Sequence, residues 1–246
     1  MELELVEILQ GSFSLIFVII SILIGIRLIL KYFEKKNREF FLVGITWIGI
    51  STPWMHGAIS FIMILLFNTS LSVEIRFIIG NVFIPIIVVI WLIAFTDLFY
   101  QEKQKLILII FSVIAVIYEV IFFILLFTDT SLIGTFIGPF QVRYTLFIRI
   151  TMSFYAGLAL ITGVIFAVKT IKAGTSPEMI LRGKFLLLAF PSFALGSILD
   201  VLVPLTPFTV VITRLILISS AIEFYFGFSL PKIVKKLFIK TASTSV

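Results

Sequence analysis

Apolar residues in this chain come in long unbroken runs, and polar residues gather between them. Seven runs stand out, at about residues 9–30, 41–67, 77–100, 106–127, 144–168, 185–203 and 208–230. A helix needs about 20 apolar residues to cross a bilayer, and each run is of that order. The pattern predicts an all-α integral membrane protein, with residues 1–230 forming one seven-helix transmembrane domain and 231–246 a basic tail.

Within lipid the informative positions are small or polar, because tails accept Leu, Ile and Phe while helices meet each other or water through Gly, Ser and charged groups. On the sixth run Ser192, Gly196 and Asp200 recur at intervals of four and share a face. The seventh has Thr209, Thr213, Ser220, Glu223 and Gly227. The fifth has Thr145, Arg149, Ser153, Ala156 and Gly163, and the fourth has Ser112, Ala115 and Glu119. The second carries Gly49, Pro53, His56 and Ser60, and the first Ser14, Ser21 and Gly25. Such stripes predict a closed bundle around a polar centre. Pro53, Pro85 and Pro191 lie inside the second, third and sixth runs, where each removes a backbone hydrogen bond and is expected to bend its helix.

Charge gives the bundle a direction. Lys31, Lys35, Lys36 and Arg38 precede the second run, Lys103 and Lys105 the fourth, and Lys169, Lys172, Arg182 and Lys184 the sixth, while Lys232, Lys235, Lys236 and Lys240 follow the seventh. The alternate segments hold only Arg76 and Arg143, and Glu2, Glu4 and Glu7 precede the first run. Basic loops stay on the cytoplasmic side, so the N-terminus is expected outside and the C-terminus inside, in a multi-pass protein of the cell membrane. The first run is expected to be retained, since it is too long for a signal-peptide core and lacks a basic flank before it.

With 61% hydrophobic and 13% charged residues, the chain needs the bilayer as its solvent. The net charge of +6 belongs to membrane edges and anionic lipid, so nucleic acid is not an expected partner. Absence of cysteine excludes thiol catalysis, iron–sulfur clusters and zinc–thiolate sites, and a single histidine excludes multi-histidine metal and bis-histidine haem sites. No catalytic motif accompanies the helices; neither an enzyme nor a cofactor is expected.

Charges inside membrane helices are costly unless paired or wet, so each is a functional candidate. Counted at about 1.5 Å per residue, Arg149, Arg214 and Asp200 lie roughly 6 to 9 Å below the outer surface. Glu119 and His56 lie deeper, and Asn81 and Arg76 stand at the mouth. One reading is an open polar bowl in which Arg149 and Arg214 hold a carboxylate or phosphate, with Asp200 and Glu119 as counter-ions, Asn81 at the rim and His56 as a proton-linked element. The other is two structural bridges, Asp200 to Arg214 and Glu119 to Arg149. Near the inner surface Arg27, Asp97 and Glu223 form a candidate cytoplasmic coupling layer, in which Glu223 is protonated or paired to Arg27 or a loop lysine.

The layout resembles the seven-helix arrangement shared by rhodopsins, G-protein-coupled receptors and the membrane sensor modules of some prokaryotic signalling proteins. The resemblance is one of layout. The run 208–230 has no lysine for a retinal Schiff base, and no arginine follows Asp97 in Thr96-Asp97-Leu98. Seven-helix sugar transporters of the Pro-Gln-loop type would carry a Pro-Gln dipeptide, and none occurs.

The sequence thus points to a receptor-like sensor that binds a small polar or anionic ligand and signals to a separate cytoplasmic protein. A solute, ion or proton transporter or channel, and a membrane assembly subunit, are the alternatives. A bowl sealed below by apolar side chains would favour the sensor. A cavity running from Asp200 to Glu223 would favour transport, and an interior with every charge paired the structural reading.

Overall fold

A computed structural model describes residues 3–204 and 206–239; Glu2, Lys240 and the rest of the tail lie outside the described residues. The chain is an all-α membrane protein with one small β-hairpin. Its helices are α1 (Leu5–Lys35), α2 (Arg38–Ile50), α3 (Thr52–Phe67), α4 (Val73–Asn81), α5 (Phe83–Phe99), α6 (Gln104–Thr128), α7 (Leu146–Lys172), α8 (Pro177–Leu202), α9 (Pro207–Ser229) and α10 (Lys232–Phe238). Six helical segments are long and apolar enough to cross a membrane, with α4 and α5 counting as one, and the bent pair α2–α3 makes a seventh if taken as a single span.

Local chemistry sets the boundaries. Asn37 caps α2 by accepting the Glu39 N–H at 2.9 Å, Ser72 caps α4, and Ser176 and Thr206 cap α8 and α9, whose first turns carry Pro177 and Pro207. Lys36 and Asn68 close α1 and α3 in the left-handed conformation. The 57° bend between α2 and α3 falls at Ser51, two residues before Pro53. There the Ser51 and Thr52 hydroxyls donate to the carbonyls of Ile48 and Gly49, beside the Ser51 N–H, which also reaches the Ile48 carbonyl. α8, by contrast, runs without interruption through Pro191.

Packing closes a ring in the order α1, α2, α5, α7, α8, α9 and back to α1; α3 and α4 extend it at one end, and α6 leans on α5 from outside. The centre is aromatic. Trp47 stacks on Phe224 at 3.9 Å, Trp91 packs against Phe166 and Phe190 and donates its indole N–H to Thr162 Oγ1 at 2.8 Å, and Phe17 and Phe193 meet Trp54 edge-on. A cavity of about 30 Å³ remains between Trp47, Trp91, Phe190 and Phe224, room for about one water and walled by carbon.

Sequence periodicity gave no sign of the hairpin. β1 (Gly134–Ile137) and β2 (Gln141–Tyr144) pair antiparallel, Gly134 opposite Tyr144, around a turn in which Gly138 has φ +74°. Thr145 pins its base through its N–H to the Ile133 carbonyl and its hydroxyl to the Leu132 carbonyl. Just before it, exposed Asp129 accepts the Ser131 N–H, which holds its carboxyl below the usual range. The hairpin folds back over the end of the bundle where α3 ends and α4 begins, and its turn rests beside Glu7 of α1.

At the opposite, lysine-rich end, ion pairs join helix termini: Arg38 to Asp97 at 2.5 Å, and Glu178 to both Arg182 and Lys235. Lys169 sits 3.8 Å over the Tyr100 ring.

Candidate functional site

Beneath the hairpin the bundle holds its most polar interior. Asp200, near the end of α8, faces α9 and α3 together: its Oδ1 lies 2.6 Å from Arg214 Nη1 and its Oδ2 accepts the Trp54 indole N–H at 2.9 Å. Close approach of α8 and α9 at Gly196, where an added Cβ would press on Leu217, brings the two partners within reach. The Arg214 side chain is 3% exposed and Asp200 17%, so this is a buried pair with one wetted edge.

The second arginine of the cluster is Arg76. The helix containing it begins at Val73 rather than 77, which carries Arg76 into the protein. Its guanidinium stacks on the Phe136 ring of the hairpin, Cζ to centroid 3.4 Å, and donates to the Pro139 carbonyl. His56 lies within electrostatic reach of both arginines, with Phe136 edge-on at 6.1 Å. Gly80 is what admits the imidazole: a Cβ there would stand 3.1 Å from His56 Cδ2 and 3.5 Å from the Tyr144 hydroxyl. Asn81 sits beside that hydroxyl and spends its amide N–H on the Phe77 carbonyl.

The cluster's hydrogen-bonding account does not close. His56, Arg76, Asn81 and Arg214 are each more than nine-tenths buried. Yet His56 Nδ1, Arg76 Nε, Asn81 Oδ1 and Arg214 Nε have no protein partner among the described residues, nor has Ser60 Oγ deeper on α3. Such groups ordinarily find partners. Charge does not close either: Asp200 pairs with Arg214, and among the described residues Arg76 has no acidic partner. The arrangement can take an anion, for which guanidinium forks, an amide and an imidazole are suitable ligands.

Other expected members of the site lie elsewhere. Arg149 and Ser153 are exposed on α7, whose inward side is instead Ile148 and Tyr155. The stripe through Arg149 is only half a contact: Gly163 packs on Phe190 and Ala156 lines the central cavity, whereas Arg149 and Ser153 are exposed. Glu119 is on α6 near Tyr118 and Tyr155, its oxygens unpartnered and without an ion pair to Arg149. Of the two expected bridges, Asp200–Arg214 forms and Glu119–Arg149 does not. The expected open bowl is closed above by the hairpin and below by Trp54, Phe17 and Phe193. Arg76, expected at the mouth beside Asn81, is instead a buried member of the cluster, and Trp54 and the hairpin's Phe136 and Pro139 join it without a signal in the sequence pattern; an arginine in a charge-poor segment is the one sign the sequence carries.

The coupling layer is likewise dispersed. Asp97 is engaged by Arg38 and by Gln104 at 2.7 Å, Arg27 is exposed on α1 beside Tyr225, and Glu223 accepts from Ser219 of its own helix at 2.8 Å. Between Asp200 and Glu223 the interior holds the aromatic packing already described, with the cavity of about 30 Å³ inside it.

No protein-family model, curated protein or solved structure matches this chain.

Proposed function

We propose that this protein is a multi-pass sensor of the cell membrane that binds a small anion beneath the hairpin and signals through its lysine-rich end to a separate cytoplasmic protein. The observation that carries this reading is the buried, unneutralised Arg76 beside the neutral Asp200–Arg214 pair, with four orphaned polar groups around them. A buried cation without a counter-ion costs several kcal/mol, and an anionic ligand removes that cost on binding. The direction of the basic loops puts the hairpin end outside and the Arg38–Asp97 and Lys235–Glu178 pairs inside, so α2 and α5, and α8 and α10, are joined where a partner would dock. The aromatic layer supports a sensor over a transporter, because it separates the anion site from Glu223.

Ligand binding stabilises the state that binds, which supplies the test. The protein is unfolded thermally in lipid nanodiscs with acetate, benzoate or inorganic phosphate at rising concentration. At least one anion should raise the midpoint in wild type, and Arg76→Gln should remove the rise. If no anion stabilises the wild-type protein, the reading is wrong.

A further inference from the structure

The hydrogen bond and the ring contact of the Arg76 guanidinium both come from the hairpin. Phe136 offers its ring face and Pro139 its carbonyl oxygen, and Arg76 Nε is left without a partner. Both groups are electron-rich and neither is charged, so together they are weaker partners for a guanidinium than a carboxylate would be. The Phe136 ring itself sits in an aromatic slot, with Phe77 at 5.1 Å and His56 edge-on on another side.

Resting on the anion-site reading above, we infer that the hairpin is a tethered competitor and that the ligand it competes with is an aromatic carboxylate. The ligand's carboxylate takes the place of the Pro139 carbonyl on Arg76, and its ring takes the place of Phe136 against Phe77 and His56. Phosphate or acetate would satisfy the guanidinium but leave the slot unfilled. An aryl carboxylate satisfies both.

The hairpin is suited to leaving. Its two strands pair with each other and with no further strand, and a lone two-stranded ribbon is marginally stable by itself. It is held down by side chains, Phe136 in the slot and Phe140 against Phe61 and α3. Ligand entry therefore exchanges one aromatic contact for a similar one and adds a charge-assisted pair.

The hairpin can be locked to test this. An added Cβ at Gly57 of α3 would stand 3.9 Å from the Phe140 Cβ, within the span of about 3.5–4.5 Å that a disulfide requires. The chain has no cysteine of its own, so Gly57→Cys with Phe140→Cys gives one defined crosslink. Binding of benzoate, acetate and phosphate is measured in nanodiscs for wild type, for the oxidised and reduced double variant, and for Phe136→Ala. Wild type should bind benzoate about tenfold or more tightly than acetate, as expected for burying a ring. Oxidation should abolish binding, dithiothreitol should restore it, and Phe136→Ala should raise benzoate affinity. If the oxidised form binds benzoate like the reduced form, or if Phe136→Ala leaves the affinity unchanged where the double variant does not fold, the hairpin does not compete. If acetate or phosphate binds wild type as tightly as benzoate, the ligand class is wrong while the anion site stands. If no anion binds any of these proteins, the anion site itself is lost.

Discussion

Replacing Asp200 by alanine leaves Arg214 charged, buried and without its partner, and also strips the acceptor from the Trp54 indole. Removing one member of a buried ion pair costs about 3–5 kcal/mol, chiefly through the charge left behind. Because Asp200 is 17% exposed, some water already screens the pair, and the lower end, about 3 kcal/mol, is appropriate. Side-chain hydrogen bonds inside membrane proteins average about 0.6 kcal/mol, which covers the lost indole contact. The expected total is about 3–4 kcal/mol, more than a hundredfold in the folding equilibrium. Arg214→Met removes the stranded charge, so the double variant should lose less than Asp200→Ala alone, a coupling of about 2 kcal/mol. Reversible unfolding in mixed micelles, followed by tryptophan fluorescence, reads all three proteins, and Trp54 reports from inside the pair. A loss below about 1 kcal/mol in Asp200→Ala, or strictly additive losses in the double variant, would show that Asp200 does not neutralise Arg214.

Two glycines on one helix should respond in opposite senses. Gly163→Ala drives a methyl into the Phe190 ring and is expected to cost about 1–3 kcal/mol, whereas Gly157→Ala meets open space and should gain up to about 1 kcal/mol from helix propensity; micelle unfolding of the two variants distinguishes a packed face of α7 from an open one. Arg149→Gln should change stability by no more than about 0.5 kcal/mol and leave anion binding as in wild type, since Arg149 is exposed and forms no ion pair among the described residues. A loss of anion binding in that variant would put Arg149 back in the site and Arg76 out of it.

Stripes of small and polar residues were legible wherever both helices of a contact were needed to hide them. Ser14, Ser21 and Gly25 on α1, His56 and Ser60 on α3, Gly196 on α8, and Thr213, Ser220 and Gly227 on α9 are all buried. The same rule misread α7, because a small residue shows that a close approach is possible and does not show that a neighbour comes. Gly163 has Phe190 beside it, whereas Arg149 and Ser153 of the same stripe are exposed. The expected bend at Pro53 occurs near Ser51, where the Ser51 and Thr52 hydroxyls add hydrogen bonds to the carbonyls of Ile48 and Gly49, while α8 continues through Pro191.

By itself the sequence determined that the chain lives in lipid and where its membrane-crossing helices lie. Transfer of apolar side chains is nearly additive and needs no knowledge of neighbours, so long runs of Leu, Ile and Phe are sufficient. The sequence also marked Asp200, Arg214 and His56 as costly groups needing an explanation. Tertiary structure alone decided what satisfies them: that Asp200 reaches Arg214 and Trp54, that Arg76 and not Arg149 enters the cluster, and that a four-residue strand pair brings Phe136 and Pro139 over it. Pairing between charges depends on distances of a few ångströms between residues as far apart in sequence as Trp54 and Asp200, and strands this short carry too little pattern to be read locally. Such contacts are properties of the packed bundle, and they are where the binding chemistry resides.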